Sequence, residues 1–367
     1  MNIEIDDVEG ADDAQGSGWG EYPLDSVFVR TEQRTVSEVV KRIKNERFIL
    51  NPDFQRDFVW SADKQSRLIE SCLMRIPLPV FYVAEAQDGR IIVVDGLQRL
   101  TSFYRFMNNS FSLTLDSGGE GDVKHPLSGK KHEDLNVTLQ ERIEDTQLTL
   151  YILDSKAPER AKLDIFERVN SGDPLTRQQM RNCLYNGPAT AWLKKASDNE
   201  NFITTTGGSL DRKKMRDREA INRFLAFYLL GEKKFKGGDM DYFLAVSLET
   251  FNSLDDKRRD QIHERFVYSM RVNKYLFGEH AFRKSLAQEK YSNRSVLNIA
   301  LFDVLSVILA DADSEVIKAR KVAITLAIKH LIGTHSFAHS ISYSTNSTKQ
   351  VQNRFKLARK AIKEALS

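Results

Sequence analysis

The chain has 367 residues, of which 41% are hydrophobic and 29% charged. This is globular composition with length for about two domains, and it excludes a disordered tail protein and a small disulfide-stapled scaffold. Lys and Arg number 54 against 51 Asp and Glu, and the resulting net charge of +3 is too small by itself to demand a nucleic-acid partner.

That average hides an uneven distribution. Residues 1–20 hold six acids (Glu4, Asp6, Asp7, Glu9, Asp12 and Asp13) and no base, which leaves +9 on the remainder. The leader is poor in apolar residues and runs into Gly16-Ser17-Gly18, so residues 1–21 are expected to form a disordered arm, either a solubilising tail or a decoy that shields a basic surface. So acidic a start lacks the marks of a secretory or mitochondrial signal, and no apolar run is long enough for a bilayer. The expectation is a cytoplasmic protein with no membrane partner.

From Tyr22 to about Leu153 short strands mix with helices. Val36 to Lys44 reads as a first helix. Ser61, Ala62 and Asp63 offer N-caps for a second, in which Leu68, Ile69, Cys72 and Leu73 recur at helical spacing until Ile76-Pro77-Leu78-Pro79 stops it. Pro79 to Glu85 and Arg90 to Asp95 flank Gln87-Asp88-Gly89 and predict a hairpin. A third helix follows Asp95-Gly96, buries Leu100, Phe103, Tyr104 and Met107, and ends at Asn108-Asn109. Asp116 to Asp134 reads as a loop or lid, and Gln147 to Leu153 as a last strand. Beyond Pro158 the pattern is helical, with segments near 158–169, 175–186, 213–230, 239–252, 256–275, 295–311, 314–331 and 348–366 and no internal repeat. Cys72 and Cys183 fall on apolar helix faces with no metal or redox spacing and read as packed thiols.

Three segments carry chemistry. In Ile91-Ile92-Val93-Val94-Asp95-Gly96-Leu97-Gln98-Arg99-Leu100-Thr101, a buried strand delivers a carboxylate, a glycine permits a tight turn, and a helix opens with an amide, a guanidinium and a hydroxyl. Free N–H groups at such a helix start, with Arg99, suit a phosphate, and Asp95 suits a metal, a water or Arg99 itself. The plainer reading is a turn with a capping carboxylate and a surface arginine. Asn51 to Trp60 reads as extended chain presenting Gln55 and Arg56 on one side while Phe54, Phe58 and Trp60 pack or stack. Phe166 to Leu175 ends one helix in a small-residue turn and starts another after Pro174, which is also a plain helix-turn-helix joint.

In their order and spacing, Pro52-x-x-Gln55-Arg56-x-x-x-Trp60, Asp95-Gly96-x-Gln98-Arg99-Leu100-Thr101 and Phe166-x-x-x-Asn170-x-Gly172-x-x-Leu175 resemble the N-terminal module of GmrSD-type modification-dependent restriction enzymes, a domain related to ParB and sulfiredoxin. Arg216-x-x-Glu219-x-x-x-Arg223-Phe224 and Phe235 to Phe243 are similar to that module's helical extension. The resemblance implies an α+β chain: a ParB/sulfiredoxin-like small mixed-sheet domain over residues 22–186, then an all-helical domain over 187–367. It further implies a site that binds and hydrolyses nucleotide or, in some proposals, works on phosphodiesters. Carried over by position, Asp95, Gln98 and Arg99 are the catalytic candidates, and Gln55, Arg56, Gly96, Arg99, Thr101, Asn170 and Gly172 surround the phosphate. Asp95 is the metal candidate, and an NTP with Mg2+ the expected cofactor. The family usually has a second glutamine where this chain has Leu97; a leucine there removes a polar contact or turns into the core.

The His-Asn-His nuclease module of these enzymes has no counterpart around His330, His335 and His339, whose Gly, Ser and Thr context favours a loop over a zinc-binding helix face. A separately encoded nuclease or toxin is therefore an expected partner. Basic residues gather at Arg212, Lys213, Lys214 and Arg216, and on the last helix at Lys349, Arg354, Lys356, Arg359, Lys360 and Lys363, where they suit DNA phosphates or are simply solvated. The leading expectation is a nucleotide-binding, NTP-hydrolysing sensor or regulator in a bacterial defence system of restriction or toxin–antitoxin type. The alternatives are a metal-dependent DNA nickase built on Asp95 and a non-enzymatic DNA-binding adaptor.

Overall fold

A computed structural model describes residues 9, 29–50, 60–86, 88–115, 125–157, 163–165, 176–288 and 293–366. The chain divides into two compact units, one of residues 21–175 with 182–184 and one of residues 1–20, 176–181 and 185–367. The main division falls at Thr176, ahead of the boundary expected near residue 187. Gln55, Arg56, Asn170 and Gly172 lie outside the described residues, as does most of the helix expected over 158–169.

The first unit is α+β. Its elements are β1 (Val29–Thr35), α1 (Val36–Lys44), β2 (Phe48–Ile49), α2 (Ala62–Leu73), β3 (Phe81–Glu85), β4 (Ile91–Asp95), α3 (Leu97–Met107), α4 (Val137–Glu144) and β5 (Gln147–Leu153). The strands form one mixed sheet in the order β1-β5-β3-β4-β2. β1 with β5 and β3 with β4 are antiparallel, whereas β3 with β5 and β2 with β4 are parallel. Phe81, Val83, Ile91, Val93, Leu148, Leu150 and Ile152 share a core with Val36, Val39, Ile69, Cys72, Leu100, Phe103, Phe106 and Ile143 of the helices. Thr35, Ser61 and Asn136 cap α1, α2 and α4 by accepting backbone N–H groups. Burial holds the Cys72 thiol up at about 11, as suits a packed, unreactive cysteine; nothing is described of the Cys183 side chain.

One irregularity sits beside the expected site. Tyr82 pairs with Asp95 but Val83 pairs with Val93, so β4 carries an extra residue at Val94. Such a bulge breaks the alternation just before Asp95 and re-aims the strand end.

The second unit is helical: α5 (Arg177–Leu184), which begins in it, α6 (Pro188–Ser197), α7 (Glu200–Thr206), α8 (Arg216–Leu229), α9 (Met240–Asn252), α10 (Asp256–Phe277), α11 (Ile299–Ile308), α12 (Ser314–Ala319), α13 (Lys321–Gly333), α14 (His335–Ser340) and α15 (Thr348–Leu366). Three expectations need correction. The segment 213–230 becomes helical only at Arg216, because Met215 is buried with φ at 53°. The segment 314–331 is two helices broken at Arg320. His335 and His339 lie on helix α14 and not on a loop, with ring centroids 6.3 Å apart. The acidic leader is described only at Glu9, whose backbone bonds Leu297 and Ile299 and whose carboxylate meets Lys284. Among the described residues, no helix is long and apolar enough to cross a membrane.

Candidate functional site

β4 is buried on both faces until Asp95, and Gly96 then turns the chain directly into α3. Gly96 sits at φ 95°, in the left-handed region that favours glycine. An added Cβ would also fall 2.3 Å from Phe81 Cδ1, inside a ring already packed there. The turn is therefore specified twice, by backbone conformation and by space.

Gly96 has no side chain, so the N-cap position itself supplies no side-chain hydrogen bond to the first turn of α3. Leu97 packs onto the domain core, so the departure from the family's glutamine supplies apolar contact. Gln98 is half-buried in the same turn and has a bonded partner. Ser102 returns its hydroxyl to the Gln98 carbonyl at 2.8 Å, as helical serines do. Thr101 does not: its Oγ1 is buried and has no hydrogen-bond partner among the described residues. On α2, which packs against α3, Gln65 donates to the Trp60 carbonyl at 3.0 Å while its Oε1 is buried and unpaired. Buried polar atoms of this kind are uncommon in folded proteins and call for a ligand, a water or a function.

Arg99 is placed differently from the expectation of an arginine reaching out to phosphate. Its Nη2 donates to Asp95 Oδ2 at 2.9 Å and to the Val80 carbonyl at 3.1 Å, and its Nη1 donates to the Pro79 carbonyl. The guanidinium also lies over the Phe81 ring, 4.1 Å from its centroid. Burial lowers the Arg99 pKa, an effect opposed by the Asp95 carboxylate. Arg99 thus ties the helix start, the strand end and the entry to β3 together, and its charge stands behind the site.

Asp95 is 39% exposed and its second carboxylate oxygen, Oδ1, is without a partner among the described residues. No group of three or more His, Cys, Asp and Glu side chains with metal-binding geometry occurs among them. Among the described residues, one open carboxylate oxygen is too few ligands for a resident divalent ion.

The basic residues divide by partner. Arg212 is paired with Asp198, and Arg216 donates to Glu219 at 3.0 Å. Lys213 and Lys214 are exposed. On α15, Arg359 pairs with Glu232 at 2.8 Å, whereas Arg354 is fully buried, which removes it from any DNA-facing stripe. Arg354 and Arg223 both bind Asp303, at 2.8 Å and 2.6 Å, in a buried triad completed by the Thr345 carbonyl and Asn346. Burial lowers the Arg354 pKa to about 10 against the pull of Asp303. Nothing in the sequence pairs these residues, since Asp303 lies on a different helix from either arginine.

Residues 36–186 match the family described as the GmrSD restriction endonuclease, N-terminal domain. This stretch, which holds most of the α+β unit, is thus similar to a GmrSD-type N-terminal module, a family named for restriction. No curated protein and no solved structure matches the chain.

Proposed function

We propose that a chain whose residues 36–186 form a GmrSD-type N-terminal module binds a nucleotide at the amino end of α3 and acts as the nucleotide-responsive part of a restriction-type system, with cleavage supplied by a separately encoded nuclease. The observation that carries this reading is the pairing of an uncapped helix start with a buried hydroxyl, Thr101 Oγ1, that has nothing to bond among the described residues. Backbone N–H groups aligned with the helix dipole favour a phosphate, and the Arg99 charge behind them deepens the attraction without side-chain reorganisation. In this reading the open Oδ1 of Asp95 orients a water for slow hydrolysis; the support is that Arg99 holds the carboxylate through Oδ2 alone.

Equilibrium dialysis of ATP, GTP and CTP with magnesium against the full chain, with phosphate release followed in the same samples, tests both halves of the reading. Saturable binding of at least one nucleotide is expected, with phosphate release that Asp95→Asn slows while binding persists. A chain that binds none of the three contradicts the site. A chain whose Asp95→Asn variant releases phosphate at the wild-type rate keeps the site and loses the hydrolytic role.

A further inference from the structure

Around the start of α8 the structure sorts a run of cations into two kinds. Arg212 is held by Asp198 and lies 3.6 Å from Asp217, and Arg216 is held by Glu219, so the charge of both arginines is locally answered. Lys213 and Lys214 are exposed, and among the described residues neither ammonium group is paired with a carboxylate.

The backbone that carries these two lysines is closed on every side. Asp211 Oδ1 accepts the N–H of Lys213 at 2.8 Å and that of Lys214 at 3.1 Å. The Lys213 carbonyl accepts from Gln179 Nε2, and the Lys214 carbonyl from Thr176 Oγ1, each at 2.9 Å. Thr176 and Gln179 are themselves bound to one another as the reciprocal cap of α5. Met215, buried at positive φ, pins the far end of the loop. All four backbone groups of the lysine pair are thus satisfied within the protein, and only the two side chains remain to be ordered by a partner.

We propose that Lys213 and Lys214 form a pre-ordered contact for the phosphate backbone of duplex DNA, on the helical unit and independent of the α3 site. Ammonium groups are compact charges without the fork geometry of arginine, which suits phosphate oxygens of any sequence. A loop already fixed loses little entropy on binding. The loop lacks the exposed apolar or aromatic anchor that a protein interface centres on: Leu210 and Met215, the apolar residues bounding it, are both buried.

The test is fluorescence anisotropy of a short labelled duplex with the full chain over a salt series. Lys213→Gln/Lys214→Gln is expected to weaken binding about tenfold at low salt and to reduce the slope of log affinity against log salt by about two, the value for two lost phosphate contacts. Gln179→Leu keeps both charges but frees one loop carbonyl, and is expected to weaken binding severalfold at unchanged slope. Thermal melts of both variants report whether the fold is intact. Nucleotide binding by the double variant is expected to be unchanged, which separates failure here from failure of the α3 site. Equal affinity and slope in wild type and double variant overturn the proposal. So does a wild type that ignores DNA but binds polyglutamate through the same lysines.

Discussion

Two aspartate–arginine assemblies in this chain use the same chemistry to opposite ends. At the start of α3, Asp95 and Arg99 pair at 2.9 Å where the N-cap glycine supplies no side-chain bond, with one carboxylate oxygen still open and, further along the helix, the buried Thr101 hydroxyl unpaired. In the helical unit, Asp303 is fully buried and both its oxygens are taken by Arg223, with Arg354 added on one of them. The first arrangement leaves a carboxylate oxygen open on a part-exposed aspartate; the second takes up both oxygens of its aspartate and leaves only Arg354 Nε unpaired, deep in the fold. An ion pair is thus a poor guide to function until its remaining donors and acceptors are followed to their partners.

The sharpest way to break this contrast is to remove the shared carboxylate of the closed assembly. Asp303→Ala leaves two buried guanidinium groups facing each other, and urea unfolding is expected to show a loss of about 3–5 kcal/mol. Replacing all three members together by apolar residues of similar volume is expected to be near neutral. Unchanged stability in Asp303→Ala would mean that the triad is hydrated and not closed.

Next in size is Gly96→Ala, which forces a side chain into positive φ and against Phe81. A cost of about 1–3 kcal/mol is expected in the α+β unit, read by thermal melting followed with near-UV circular dichroism, together with loss of nucleotide binding.

A smaller effect tests burial without a saturating partner. Asp217 is 4% exposed, and burial pushes its pKa up from 3.8 to about 6, against the opposing pull of the Arg218 N–H and the Arg218 and Arg212 charges. The folded chain therefore holds this proton more tightly than the unfolded one. The resulting stabilisation is fully present below about pH 4 and is lost as the pH rises through about 6. Asp217→Asn is expected to be more stable than wild type at pH 7 by on the order of 1–3 kcal/mol, with the gap closing toward pH 4. A gap independent of pH would contradict the account.

Much of the α+β unit could be read ahead because its signals are local. α1 and α3 end where the sequence expects, α2 starts at its Ser61 cap, and the β3–β4 hairpin turns where Asp88-Gly89 appears. β1 is not legible because the half-buried positions of this edge strand are the mutually paired Arg30, Glu32 and Arg34, while Val29, Thr31 and Gln33 are exposed, so its alternation is not one of apolar against polar residues. α4, α6 and α7 fall outside the helical segments expected from the sequence, and α14 lies in a Gly, Ser and Thr context that tertiary packing of Phe337 overrides. At the site, the turn at Gly96 was legible and the role of Arg99 was not, since its partners are the carbonyls of Pro79 and Val80 on a segment the motif does not include. Arg354 read as part of a basic stripe because helical periodicity cannot show an aspartate on another helix.

The proposed nucleotide site rests on Thr101 Oγ1, buried and unpaired among the described residues. Thr101→Val keeps the shape and removes only the hydroxyl, so the decisive measurement is calorimetric titration of nucleotide with magnesium into wild type and Thr101→Val, each checked by thermal melting. The account predicts a variant at least as stable as wild type, because a buried unsatisfied group is gone, whose nucleotide affinity is about tenfold weaker. Equal affinity in the two proteins, or a variant that melts well below wild type because the hydroxyl bonds within the fold, would contradict it.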